Sequence, residues 1–566
     1  GKLKSIAVRT LAQMMYVSYL QRELSRVMAL NGIYGKDVQL KDICFEPVQT
    51  NETERYFDIY LENGLYEKPE DYKIRNEGLL KRLENENKTP DKILDGLSNL
   101  LNLEFDLIRE KYQLLSVVLL RMEFPEEEDF YEFRQSNWKY KPDDFDGYLL
   151  AMLVYIFIML FSCVVDYINA IIIDKYRNTY KAKLALIFSI IINLSLLAFF
   201  KYSDFFISIV NSLTNYNIPL LNITLPIGIS FYTFQTMSYT IDVYRNEAPI
   251  QKNIFSLSTF VTLFPQLVAG PIVRYSDVSY DLNHRIHNFD KFYNGVYRFI
   301  IGLCKKVILA NNLGVIWYSI KATPYDTLSL ATSWLGIICF SLQIYFDFSG
   351  YSDMAIGLGK IFGFDFLENF NFPYISKSIT EFWRRWHISL GVWFRDYVYI
   401  PLGGNRCSKS RWFLNIFIVW FLTGLWHGAS FNFILWGLYF GIILIFEKLF
   451  LLQFLKKLPN WIKHFYTMFL VIIGFVLFEI DSLNGVYNYL ISMFNFKNII
   501  VDDVFLYYLI PNITLIIFAI IASTPIIKII LDRYKYIRII TLIFGMILST
   551  SFLVDASFNP FLYFRF

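Results

Sequence analysis

The sequence predicts an all-α polytopic membrane protein with about ten transmembrane helices. Re-entrant or interfacial helices are expected around a central funnel, with a small helical soluble segment in front. Of the 566 residues, 55% are hydrophobic and 19% aromatic, more than is usual in a soluble domain. Apolar runs recur at lengths near the roughly 20 helical residues that cross about 30 Å of hydrocarbon. Most of the chain should therefore lie in a bilayer.

Eleven apolar runs are candidate spans. Short ones can instead be re-entrant or lie in the interface, so the expected number of spans is about ten, to within two. The runs are 148–172, 184–200, 204–222, 255–273, 294–318, 331–346, 413–428, 431–450, 465–480, 505–530 and 537–554.

Residues 1–146 differ from the rest in charge. They carry 21 Lys or Arg and 28 Asp or Glu, a net of −7, whereas residues 147–566 carry 32 and 22, a net of +10. Thr89 and Pro90 precede an amphipathic pattern typical of a capped helix. We therefore expect an acidic, helical soluble segment of unknown role over 1–146 and a transmembrane domain over 147–566.

The basic connections predict the topology. Lys/Arg-rich stretches at 174–183, 406–411, 456–463 and 528–538 favour the cytoplasmic side. Runs 413–428 and 431–450 then form a hairpin whose tip points away from the cytoplasm. His427 would lie beside that tip and His387 nearer the cytoplasmic surface, so a shared site requires a funnel or tunnel through the protein.

Those two residues are the main functional candidates among five histidines. A titratable imidazole in an apolar region is costly, and by default it marks a functional site. Burial keeps histidine neutral, and a neutral imidazole can take a proton from an attacking hydroxyl, which is worth about 10²–10⁴ in rate. The expected reaction is transfer of an acyl group to an alcohol.

Residues 381–406 are too charged to span a membrane and too aromatic for a solvated loop. They predict an interfacial or re-entrant amphipathic helix, in which tryptophans anchor at the headgroups and arginines reach phosphates or pair internally. An aromatic belt with snorkelling arginines is the structural alternative. The candidates for supporting roles in this part of the chain are Trp383, Arg385, Arg395, Asp396 and, near His427, Trp426.

Residues 345–357 place further polar groups near membrane depth: Asp347, Ser349, Tyr351 and Asp353. Buried carboxylates need partners, and we expect Arg384, Arg385 or Arg395 to supply them. Structural pairing is favoured over direct catalysis. Gly350 allows the backbone to bend there or to approach another segment closely.

Two apolar runs, at 226–235 and 263–272, are interrupted by Pro and Gly. Broken helices at membrane depth line a cavity or are buried in protein, so both runs are expected to wall a chamber, with Gln266 as a polar handle. The five cysteines show no paired spacing, and no metal site is expected. There is no nucleotide or Gly-rich phosphate motif, and no bound cofactor or nucleic-acid partner is expected.

Five stretches together resemble the membrane-bound O-acyltransferase superfamily, and within it the bacterial branch of alginate and peptidoglycan O-acetylation proteins. They are 263–272, 345–357, 382–390, 393–406 and 424–428. The resemblance extends over roughly 146–566. It implies that His427 is the near-universal membrane histidine of the superfamily, acting as base or acyl relay, and that His387 is the second histidine of this branch.

The resemblance also implies a cell-membrane enzyme that takes an acyl donor, acetyl-CoA, from the cytoplasm and passes the acetyl group outward. A secreted or membrane-tethered acetyltransferase partner then completes transfer to a polysaccharide. D-alanyl transfer from a carrier protein to teichoic acid is the alternative enzyme function, and a proton-relaying transporter or scaffold is the non-enzymatic one. Family members usually begin with hydrophobic helices, so the acidic segment here is interpreted as an accessory domain or as a sign of a rearranged or truncated chain.

Overall fold

The computed structural model describes residues 145–555, with gaps at 215, 227, 268–269, 283 and 497–499. Within these residues the chain forms helices, turns and loops, and no strand. The predictions for the acidic segment up to residue 144 lie outside the described residues.

The helices follow one another with mostly short connections. They are α1 (Phe145–Lys175), α2 (Tyr180–Leu213), α3 (Ile229–Arg245), α4 (Ile254–Thr262), α5 (Phe264–Leu267), α6 (Tyr275–Val278), α7 (Phe289–Lys321), α8 (Leu330–Ile361), α9 (Ile379–Trp383), α10 (Ile388–Phe394), α11 (Lys409–His427), α12 (Phe431–Lys457), α13 (Asn460–Glu479), α14 (Leu483–Phe494), α15 (Asp503–Ala522), α16 (Ile526–Arg533) and α17 (Lys535–Asp555). Stretches of π-helix lie inside α7 and α12 and directly after α10.

In the described part of the chain, eight helices are long and apolar enough to cross a membrane. They are α1, α2, α7, α8, α12, α13, α15 and α17. The prediction of an all-α, multi-pass membrane protein is confirmed. The run 413–428 forms α11, which is not among the eight because polar residues and tryptophans dilute its apolar character.

Two predictions about individual spans are wrong. Run 184–200 and residues 204–213 of the next run form one continuous helix, α2. The polar residues between the two runs have partners: Lys201 binds backbone carbonyls of α11, and Asp204 accepts hydrogen bonds from backbone N–H groups after the helix. Run 255–273 does not form a span. It breaks into α4 and α5, as the Pro and Gly interruptions in 263–272 indicated.

The central helix is α8, with 78% of its most apolar window buried inside the protein. It runs unbroken through Gly350, so that glycine does not bend the chain. A Cβ at Gly350 would lie 2.8 Å from the carbonyl oxygen of Gly302 in α7. Small residues at such crossings let helix backbones approach closely in a membrane. Of the two expectations for Gly350, close approach is therefore the correct one.

Candidate active site

His427 is the last residue of α11, and the chain continues through an extended Gly428 into α12. The imidazole is 5% exposed. The rings of Trp436 and Phe478 stand edge-on to it, with centroids 4.8 and 5.3 Å away. The end of the helix thus presents a nitrogen base inside an aromatic wall.

His387 connects α9 to α10 and has φ 45°, in the left-handed region. For a residue with a side chain this conformation costs about 1–2 kcal/mol, and such strain concentrates at functional sites. The imidazole is 2% exposed and packs edge-on against Phe348 of α8 at 4.7 Å. Burial lowers the pKa of His387 to about 3, so the ring is neutral at pH 7.

Asn369 holds the backbone of this connection. Its Oδ1 accepts hydrogen bonds from the Oγ and backbone N–H of Ser389, at 2.9 and 3.2 Å, and its Nδ2 donates to Ser352 Oγ of α8 at 3.0 Å. The backbone N–H of Ile388 donates to the Asn369 carbonyl at 3.0 Å. Sequence reasoning missed Asn369, because an asparagine in a polar loop carries no periodic signal.

Both histidines line one cavity of about 520 Å³. The indole of Trp426 lies beside both, with ring centroids 5.9 Å from His387 and 5.1 Å from His427. The sequence predicts His427 beside the hairpin tip and His387 nearer the cytoplasmic surface. The structure places both side chains on the wall of one cavity. Whether that chamber continues as a tunnel through the protein stays a prediction.

The cavity has cations at its exposed side and aromatic rings deeper in. Arg384, Arg395 and Lys448 line it and are exposed, whereas Trp383 and Trp420 pack ring to ring at 4.9 Å. Arg395 pairs with Asp396 at 2.7 Å. Among the described residues, no carboxylate forms a salt bridge with Arg384 or Lys448. The exposed side of the cavity, which we call the mouth and which is lined by Arg384, Arg395 and Lys448, therefore carries positive charge.

The expected arginine partners of Asp347 and Asp353 are wrong. Asp347 pairs with Lys306, and Asp353 pairs with Arg298 and Lys305, both at 2.6 Å. These cations come from α7, which packs along α8, so each buried carboxylate meets charge from its helical neighbour. Neither carboxylate lines the cavity, and the structural role favoured for both stays a prediction.

Two arginines of the stretch 381–406 pair with carboxylates of the same stretch. Arg385 binds Glu381 one turn earlier at 3.0 Å. Asp396 binds Arg395 and also, outside this stretch, Arg274 at 3.0 Å. The expectation of internal pairing is therefore correct for Arg385 and Arg395.

The remaining candidate residues differ in whether they line the cavity. Of the residues given supporting roles, Trp383 and Arg395 line the cavity together with the histidines. Trp426 packs beside each of the two imidazoles. Ser349 is buried in α8 and Tyr351 packs beside a cluster that includes Trp426. Gln266 is fully buried and donates to the Phe260 carbonyl at 2.8 Å, so its side chain connects α5 to α4 within the run 255–273.

The profile of the MBOAT, membrane-bound O-acyltransferase, family matches residues 247–488. The chain is 45% identical over 323 residues to a probable alginate O-acetylase of Pseudomonas aeruginosa, covering 56% of this chain and 62% of that protein. It is 40% identical over 320 residues to a peptidoglycan O-acetyltransferase of Helicobacter pylori, covering 51% and 60%. It is 32% identical over 246 residues to a teichoic acid D-alanyltransferase of Bacillus subtilis, covering 41% and 62%. The chain thus spans about three fifths of the length of these curated relatives.

Proposed function

We propose that this chain, whose residues 247–488 match the membrane-bound O-acyltransferase family, moves an acetyl group across the membrane for O-acetylation of an extracytoplasmic polysaccharide. The observation that carries the proposal is the single cavity that holds two buried histidines. Higher identity to the O-acetyltransferases than to the D-alanyltransferase supports acetyl over D-alanyl transfer.

In this proposal His427 is the general base. Its neutral imidazole takes the proton from the acceptor hydroxyl, whose oxygen attacks the carbonyl carbon of the acetyl thioester. The carbon–sulfur bond breaks, and the thiolate takes up the proton, so the products are an acetyl ester and a free thiol. His387 lines the same cavity, three residues after Arg384, and in this proposal it is the histidine nearer the donor.

The charge of the mouth supports acetyl-CoA as the donor. Arg384 and Lys448 offer N–H donors to phosphates, and charge-assisted hydrogen bonds of this kind are about twice as strong as neutral ones. A donor that binds there from the cytoplasm can extend its thioester towards the histidines. A secreted or membrane-tethered acetyltransferase is the proposed partner that completes transfer to the polysaccharide outside.

The test uses membranes that contain the chain, radiolabelled acetyl-CoA as donor and base-labile acetyl groups on polysaccharide as readout. His427→Ala and His387→Ala should each lower the rate at least about 100-fold at unchanged protein levels, because each removes an imidazole from the reacting cavity. His284→Ala, in an exposed loop, is the matched control and should keep the wild-type rate. Wild-type rates in both cavity variants would overturn the proposal.

A second arm tests the donor. Arg384→Gln should raise KM for acetyl-CoA about tenfold, the effect of losing one charge-assisted contact of about 1.4 kcal/mol. Arg406→Gln, at an exposed arginine that does not line the cavity, should not. Transfer from a D-alanyl-loaded carrier protein but not from acetyl-CoA would replace the proposal with the D-alanyl alternative.

A further inference from the structure

The C-terminal end of α11 is held by the side chains of two neighbouring residues on α2. The last carbonyls of a helix have no partner within the helix and need one from outside. Tyr202 donates its hydroxyl to the carbonyl oxygen of Leu425 at 2.6 Å. Lys201 Nζ donates to the carbonyl oxygens of Trp426 and His427, at 2.5 and 3.4 Å. The residue that carries the candidate base is therefore bound through its own backbone.

The ammonium of Lys201 is directed at this helix end by further contacts. It donates to Ser230 Oγ of α3 at 3.2 Å and lies 5.8 Å from the centre of the Trp426 ring. The backbone oxygen of Ser230 in turn accepts a hydrogen bond from Trp426 Nε1 at 3.2 Å. Side chain and backbone of Trp426 are thus both fixed from α2 and α3, immediately before His427.

The helix dipole of α11 accounts for a lysine at the position of Lys201. No carboxylate forms a salt bridge with Lys201 in the part of the chain that the structure describes. The negative end of the α11 dipole offers a favourable site for a cation, and lysines near helix C-termini bind the last carbonyls in this way. Lys201 does not line the cavity, so it reaches the site through the backbone of α11.

We propose that Lys201 is a positioning residue, whose ammonium fixes the end of α11 and thereby aims the imidazole of His427 into the cavity. This inference rests on the proposed function, in which His427 is the base. The hydrogen bonds from Lys201 would set the position of His427, and Lys201 itself would not contact the donor. Its removal should therefore slow the chemical step and leave donor binding intact.

The experiment compares Lys201→Met and Lys201→Arg with Lys183→Met, a control at an exposed lysine on the same helix. Lys201→Met should lower kcat for acetyl transfer about tenfold with KM for acetyl-CoA unchanged, because only the aim of His427 is lost. Lys201→Arg keeps a cationic donor and should recover most of kcat. Lys183→Met should behave as wild type.

A second measurement, hydrogen–deuterium exchange over residues 424–430, does not depend on catalysis. Lys201→Met should speed exchange there at least about fivefold, because the helix end frays without its tether. A wild-type kcat in Lys201→Met, a change in KM alone, or unchanged exchange would each overturn the inference. If His427→Ala and His387→Ala both kept the wild-type rate, the proposed function would fail, whereas the exchange measurement would still decide whether Lys201 holds the helix end.

Discussion

Replacing Gly424 by alanine places a methyl group between α11 and α12, the two helices of the hairpin that carries His427. The added Cβ would lie 2.3 Å from the carbonyl oxygen of Phe433 and 3.1 Å from its carbonyl carbon. Both atoms belong to the backbone of α12, so no side-chain rotation relieves the contact. Ordinary contact begins at 3.4 Å, and the helices must therefore separate by about 1.1 Å at this point.

His427 follows Gly424 by three residues, less than one helical turn, and should move with it. A misplacement of about 1 Å in an active site can cost about 10²-fold in rate. Overpacking of this kind also costs about 1–3 kcal/mol of stability. We therefore expect Gly424→Ala to fold with a lowered Tm and to transfer acetyl about 100-fold more slowly than the wild type.

Initial rates of acetyl transfer in proteoliposomes, with Tm followed by tryptophan fluorescence, measure both effects. Leu414→Ala is the matched control, because Leu414 is 45% exposed on the same helix and its truncation leaves the hairpin contact intact. If Gly424→Ala transfers acetyl within twofold of the wild-type rate, the link between hairpin spacing and the position of His427 is refuted.

Two further predictions concern the connection that carries His387. Asn369→Ala leaves the buried hydroxyl and backbone N–H of Ser389 without their acceptor, so it should lower the free energy of unfolding by about 2–4 kcal/mol; a loss below 1 kcal/mol in chemical denaturation would contradict this. The pKa of His387 is about 3 in the folded protein and about 6.5 in the unfolded chain, so the unfolded chain takes up a proton first as the pH falls. The free energy of unfolding is therefore unaffected by this residue above pH 6.5 and decreases as the pH falls towards 3. Between pH 8 and pH 5 the wild type should lose about 2 kcal/mol more than His387→Asn, whose asparagine tolerates the same backbone; equal losses would count against burial of a neutral imidazole.

Much of the candidate site follows from local features of the sequence, but its connections do not. The two histidines and the aromatic segment around His387 stand out because polar groups in apolar runs are rare and costly. Asp347 and Asp353 pair with cations of α7 and not with the arginines expected from residues 384–395, because an apolar run does not reveal which helix packs along it. The contacts of Lys201 are not visible in the sequence for a related reason: a lysine between two apolar runs is expected at a membrane boundary, not inside one long helix.

The amino-acid sequence is sufficient to predict a helical, multi-pass membrane protein, because bilayer thickness sets the length of an apolar helix and composition alone reveals such a helix. It also singled out His427 and His387, since a titratable ring among apolar residues is visible without a fold. The packing of the helices brings both rings into one cavity and brings Lys201 to the carbonyl of a residue 225 positions away. Contacts between such distant segments depend on how helices pack, and no local periodicity encodes them.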